Sequence, residues 1–149
     1  MNTISQVRPD RVRCRVAPSA LALLESARQG LVTAESDVSA GGRYVGAHLA
    51  ALRAAAAIVA ARAEPAPPRR KRPQSVWELL PRVEPTLSEW AAFFAAGAGK
   101  RAAAEAGLPR AVTSREADEL LRDAGTFVSL AEIALGVPAQ SPLPLPAAI

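Results

Sequence analysis

An all-α fold, arranged as an antiparallel four-helix bundle, is what this 149-residue sequence predicts, on three observations. No stretch alternates apolar and polar residues long enough to make a strand. Apolar residues recur instead at three- and four-residue steps, in four blocks separated by glycine, proline or charge. Three positions, Ser75–Glu78, Thr86–Glu89 and Thr113–Glu116, carry the hydroxyl-to-glutamate spacing of a reciprocal helix cap.

The first helix is expected over 19–35. Ser19 follows Pro18 as its cap, and Leu21, Leu24, Arg28 and Leu31 make the inner face, with Arg28 at its margin. It fades before Asp37, Ser39 and the Gly41–Gly42 pair. The second, over 42–63, is built mostly of alanine, which gives up no side-chain rotamer freedom on becoming helical. It holds the chain's one histidine and one tyrosine. Tyr44, His48, Leu52, Ala55 and Val59 form a narrow stripe of mostly small residues, one that a neighbouring helix can approach closely.

The third helix is expected over 75–106. It opens at the Ser75 cap, kinks near Pro81 to Pro85, restarts at the Thr86 cap, and turns Leu87, Trp90, Phe93, Phe94 and Gly97 inward. Gly107 and Pro109 end it. The fourth, over 113–135, starts at the Thr113 cap and carries Ala117, Leu120, Leu121, Ala124, Phe127, Val128, Ala131 and Leu135 on one face before Gly136 and Pro138. The domain thus spans 18–136. A basic tail over 1–17 and a proline-rich tail over 137–149 are expected without fixed structure, and 64–74 is an exposed Pro/Arg loop.

The net charge of +4 is concentrated in two places. Residues 1–17 hold four arginines against Asp10, and residues 64–73 hold Arg69, Arg70, Lys71 and Arg72 against Glu64, so each segment carries +3 and the remainder −2. Basic segments of this kind grip phosphates through counterion release. Neither contains an aromatic residue for base stacking, and a solvated tail and linker are the bland alternative.

A single cysteine, Cys14, excludes an internal disulfide and a multi-cysteine metal site. No stretch reads as long and apolar enough to span a bilayer: the best, Val45 to Ala61, is rich in alanine and interrupted by His48 and Arg53. The arginines of the first segment precede no apolar run of a secretory signal, so the expected place is the cytoplasm. Lys100 and Arg101 follow Gly97 and Gly99 without the spacing of a phosphate loop. Glu116, Asp118, Glu119 and Asp123 gather where a helix N-terminus favours negative charge, and no histidine joins them to make a metal site, so neither metal nor cofactor is expected. Trp77, Trp90, Phe93 and Phe94 read as core or dimer interface in preference to a base-stacking platform.

The run Leu23–Leu31, a short loop and then Tyr44–Ala55 resemble the first two helices of HEPN domains, and Ser114–Ala124 resembles the last. With the stretches around Trp77 and Trp90, the chain is most similar to an actinobacterial branch of that superfamily, over roughly 19–136. The resemblance implies a small helical bundle in a defence, stress or nucleic-acid-processing setting. Many members are metal-independent ribonucleases that place an arginine four to six residues before a histidine, toward the C-terminal part of the bundle at a dimer cleft. Here only Arg43 and His48 have that spacing, near the start of the second helix.

The reading is a bundle without its own catalytic motif that binds a nucleotide, RNA or a protein partner, with no membrane and with homodimerisation open. Tyr44, His48 and Arg53 are its ligand-contact candidates, and Arg69, Arg70, Lys71 and Arg72 its nucleic-acid contacts. Two alternatives stand beside it: a ribonuclease using Arg43 and His48, and a purely structural interaction protein.

Overall fold

A computed structural model describes residues 16–62 and 74–138. Six α-helices lie among them: α1 (Pro18–Glu35), α2 (Ala40–Arg62), α3 (Val76–Val83), α4 (Ser88–Ala96), α5 (Ala98–Glu105) and α6 (Ser114–Ala134), with a 3₁₀ turn at Pro85–Leu87 between α3 and α4. No strand occurs among the described residues, so the fold is all-α. Residues 1–15, 63–73 and 139–149, including Cys14 and the Arg69–Arg72 cluster, lie outside them.

The central element is α2, which packs against α1, α3, α5 and α6. Ala34 of α1 faces Gly46 of α2 and Gly30 faces Ala50, so the two helices run antiparallel. The pairing of Arg43 with the start of α6 and of Arg62 with its end makes α2 and α6 parallel. Much of the α2 surface so buried is alanine: residues 47, 50, 51, 54, 55 and 57 are inaccessible, as is Ile58. The bulk of the core comes from Leu24, Leu80, Phe94, Phe127 and Val128. Trp77 stacks on Phe94 with ring centroids 5.2 Å apart, and Phe94 meets Phe127 at 5.2 Å.

Several local expectations are corrected. Ser19 does not cap α1; Ala17 occupies the cap position without a side-chain bond, and Pro18 takes the first helical position, where its missing N–H costs nothing. Ser39 caps α2, its hydroxyl accepting from Gly42 N–H at 3.0 Å, so the helix starts at Ala40. The single kinked helix expected over 75–106 is three helices. Trp77 lies against His48 and Glu84 against Arg62, whereas Phe94, Gly97 and Ala104 meet α2 at His48, Tyr44 and Gly41. The chain therefore climbs along α2 through α3, reverses at Glu84–Leu87, and descends through α4 and α5. The Thr86 cap does not form, because its hydroxyl bonds Glu84 and α4 begins at Ser88 without a side-chain cap. The Thr113–Glu116 box is reciprocal as expected.

Leu21 and Phe93, expected inside, are 42% and 46% exposed. The inner face of α1 keeps Leu24 as expected and otherwise buries the small residues Ala20, Ala27 and Ala34. Finally, α2 is long and apolar enough by length and composition to cross a bilayer, against the expectation for this stretch, and half of its apolar window is buried inside this fold. Alanine raises its hydropathy while adding little burial per residue.

Candidate functional site

Tyr44 and His48 sit one helical turn apart and project from the same side of α2 toward α4 and α5. Both reach the backbone at Gly97: a Cβ built there would lie 3.0 Å from the Tyr44 hydroxyl and 3.5 Å from His48 Cδ2. His48 is only 1% exposed. Its Nε2 lies 2.8 Å from the Phe94 carbonyl, and a carbonyl can only accept, so Nε2 carries the proton and donates. Nδ1 is then a lone-pair nitrogen, buried and without a hydrogen-bond partner among the described residues. Trp77 and Phe94 close the ring edge-on at 6.1 and 6.0 Å.

Burial pushes the imidazole below its ordinary pKa. The Phe94 carbonyl opposes that shift, Arg101 adds to it and Glu105 works against it. The result is a neutral imidazole. Burial likewise raises the Tyr44 phenol, with Lys100 opposing and Glu116 adding. The neighbouring Lys100 ammonium is the largest cause holding the Glu116 carboxyl down at about 2, helped by the Thr113 backbone and hydroxyl. Arg101 Nε is a second buried nitrogen without a hydrogen-bond partner among the described residues.

Arg43 lies elsewhere. Five residues turn a helix by about 140° beyond a full revolution, which separates it from His48. Its guanidinium donates to Asp118 at 3.2 Å, to Ser114 Oγ at 2.8 Å, and to the carbonyls of Asp37 and Val38 at 3.1 and 3.2 Å. It ties the α1–α2 turn to the start of α6. Arg53 lies over Gly30 of α1, with Nη1 3.2 Å from where a Cβ there would sit. The structure thus brings Tyr44 and His48 together and places Arg43 and Arg53 on other faces. Arg69, Arg70, Lys71 and Arg72 lie outside the described residues.

Three features escaped the sequence reading. Arg28 bonds the buried carboxylate of Glu132 and also Ser129 Oγ at 3.1 Å, joining α1 to α6. The available signal was Glu132 falling four residues after Val128, on the inner stripe. Arg62 bonds Glu84 and donates to the carbonyls of Val83 at 3.2 Å and Ala134 at 2.8 Å, a cation at the C-termini of α3 and α6. Two surface recesses complete the set: about 420 Å³ between α1 and α6, lined by Leu31, Glu35, Asp118, Leu121, Arg122 and Gly125, and about 330 Å³ between α4 and α6. No group of three or more histidine, cysteine or carboxylate side chains able to hold a metal occurs among the described residues.

Among protein families, the chain matches the SAV_6107-like HEPN family over residues 34–132. No curated protein and no solved structure matches the chain. The matched region runs from the end of α1 to the last turn of α6 and covers about two thirds of the sequence, so it takes in the α2 helix with Tyr44 and His48 as well as the split α3–α5 segment. With an all-α architecture over the same span, the chain belongs to the SAV_6107-like branch of the HEPN superfamily.

Proposed function

We propose that this chain is a non-catalytic HEPN module that binds a nucleotide or RNA, or a protein partner, and does not cleave RNA. The observation that carries the reading is the employment of Arg43. All three of its nitrogens bond to groups that tie α2 and the α1–α2 turn to the start of α6. A phosphorane-stabilising arginine has to aim its guanidinium at substrate, within reach of the group that moves the proton. His48 faces a different neighbour, beneath Trp77 and Phe94. Family membership supports a nucleic-acid-related role in general and selects no substrate.

The test uses the enzymology of the alternative. Purified full-length protein incubated with single-stranded RNA in EDTA leaves metal-independent ribonuclease chemistry free to operate. The expected result is intact RNA. Cleavage that His48→Ala abolishes, with the helical circular dichroism signal retained, would replace this reading by the ribonuclease that uses Arg43 and His48.

A further inference from the structure

We propose that the recess between α4 and α6 is a docking site for an arginine side chain presented by a partner protein. This goes beyond the proposed function, because it names a second site and stands whether or not the chain binds RNA. The recess, about 330 Å³, is lined by Glu89, Trp90, Phe93 and Asp123. Trp90 is held from the core side, lying nearly parallel to Phe94 at 6.0 Å and tilted against Phe127 at 5.9 Å. Phe93 meets it edge-on, at 87° and 6.3 Å, and is 46% exposed. Two aromatic rings thus form adjoining walls whose orientation is set by the core.

The carboxylates supply the charge. Six other acidic residues of the described chain are taken by ion pairs: Glu84, Glu105, Glu116, Asp118, Glu119 and Glu132. Glu89 and Asp123 take part in none among the described residues, as is also true of Glu25, Glu35, Asp37 and Glu78, but these two share one recess with the rings and Asp123 is half-buried. A half-buried carboxylate without a cation gives up hydration for nothing in return, and a guanidinium restores it. Guanidinium is also the cation that stacks on aromatic faces while donating sideways to carboxylates, which matches rings and acids sharing one recess. The whole chain carries +4, so long-range attraction does not draw a basic peptide to it, and binding reports the local site.

The experiment titrates full-length protein into a fluorescein-labelled peptide of alternating glycine and arginine, read by anisotropy at low salt. A twin peptide with citrulline in place of arginine keeps the shape and removes the charge. Expected are saturable binding of the arginine peptide, loss with citrulline, and about tenfold weakening by Phe93→Ala or by Asp123→Asn. Glu25→Gln, on α1, should change nothing. The double change Glu89→Gln with Asp123→Asn decides the matter if Phe93→Ala alters the circular dichroism spectrum. Absence of saturable binding, equal affinity for the citrulline peptide, or indifference to the recess variants overturns the proposal. So does a sedimenting dimer that Phe93→Ala dissolves, which would assign the recess to a second copy.

Discussion

His48 shows how one residue can be set by packing rather than by chemistry of its own. Its Nε2–H satisfies the Phe94 carbonyl, while Nδ1 is enclosed without a donor among the described residues. Protonating the ring in the folded state would bury a charge beside Arg101. The folded pKa therefore lies below the unfolded value, which is near 6.5. Below that unfolded value the unfolded chain binds the proton and the folded chain does not, so stability falls as pH drops from about 6.5 toward the folded pKa. The carboxylates held low by hydrogen bonds, Glu116, Glu84 and Asp37, lose their contribution only in more acid solution, below about pH 4.5. Urea midpoints measured between pH 7.5 and 5 should decline for the native protein. His48→Gln, which keeps a donor for the carbonyl but does not titrate, should flatten that decline. An unchanged slope in the variant would show that the imidazole is not the titrating group.

Among the elements, the α1–α2 pair depends on residues too small to separate it. A Cβ at Gly46 would lie 2.8 Å from Ala34 Cβ and 3.5 Å from its Cα, with backbone rather than a flexible tip behind the contact. Alanine at an interior helix position gains roughly 1 kcal/mol over glycine through propensity. Overpacking a close interface costs about 1–3 kcal/mol, so the two effects oppose each other and sterics should prevail. Gly46→Ala is expected to lower the urea midpoint with m unchanged. A raised midpoint would mean that α1 shifts outward at little cost and that the close approach is not needed. The helix ends are decided more locally. Gly107 and Gly136 hold φ of +73° and +69°, and each lies in a paired backbone motif, with Leu108 and Val137 N–H reaching back to the Ala103 and Glu132 carbonyls.

At the scale of the whole molecule, charge and fold are segregated. The described helices tie most of their ion pairs across elements, through Arg28, Arg43, Arg62 and Lys100, whereas 1–17 and 64–73 carry +3 each and the rest of the chain −2. If Arg69, Arg70, Lys71 and Arg72 contact phosphates, binding of single-stranded RNA should be sequence-tolerant and steeply salt-dependent, with a slope of log K against log salt of roughly −3 for four contacts. Replacing the four with serine should remove most of that slope and leave the urea midpoint in place. Anisotropy titrations at two salt concentrations check both. No binding at low salt would leave a protein as the partner to seek.

The sequence by itself determined the all-α class, the outer bounds of its helical stretches within a few residues, and the alanine-rich centre, because caps, glycine terminators and three-to-four spacing are local effects. It also marked Tyr44 and His48 as one face, since a four-residue step fixes that in any helix. Only the tertiary structure decided that 75–106 folds back on itself. Pro81 lies inside α3 and Pro85 opens the turn that follows it, but the direction of the next segment follows from burying Trp77, Phe94 and Phe127 together. The same packing turned Phe93 outward, left Trp90 at a recess edge, and committed Arg43 to the start of α6, 71 residues away in the chain. Side-chain partners at such separations are set by which faces meet, and helical periodicity carries no information about that choice.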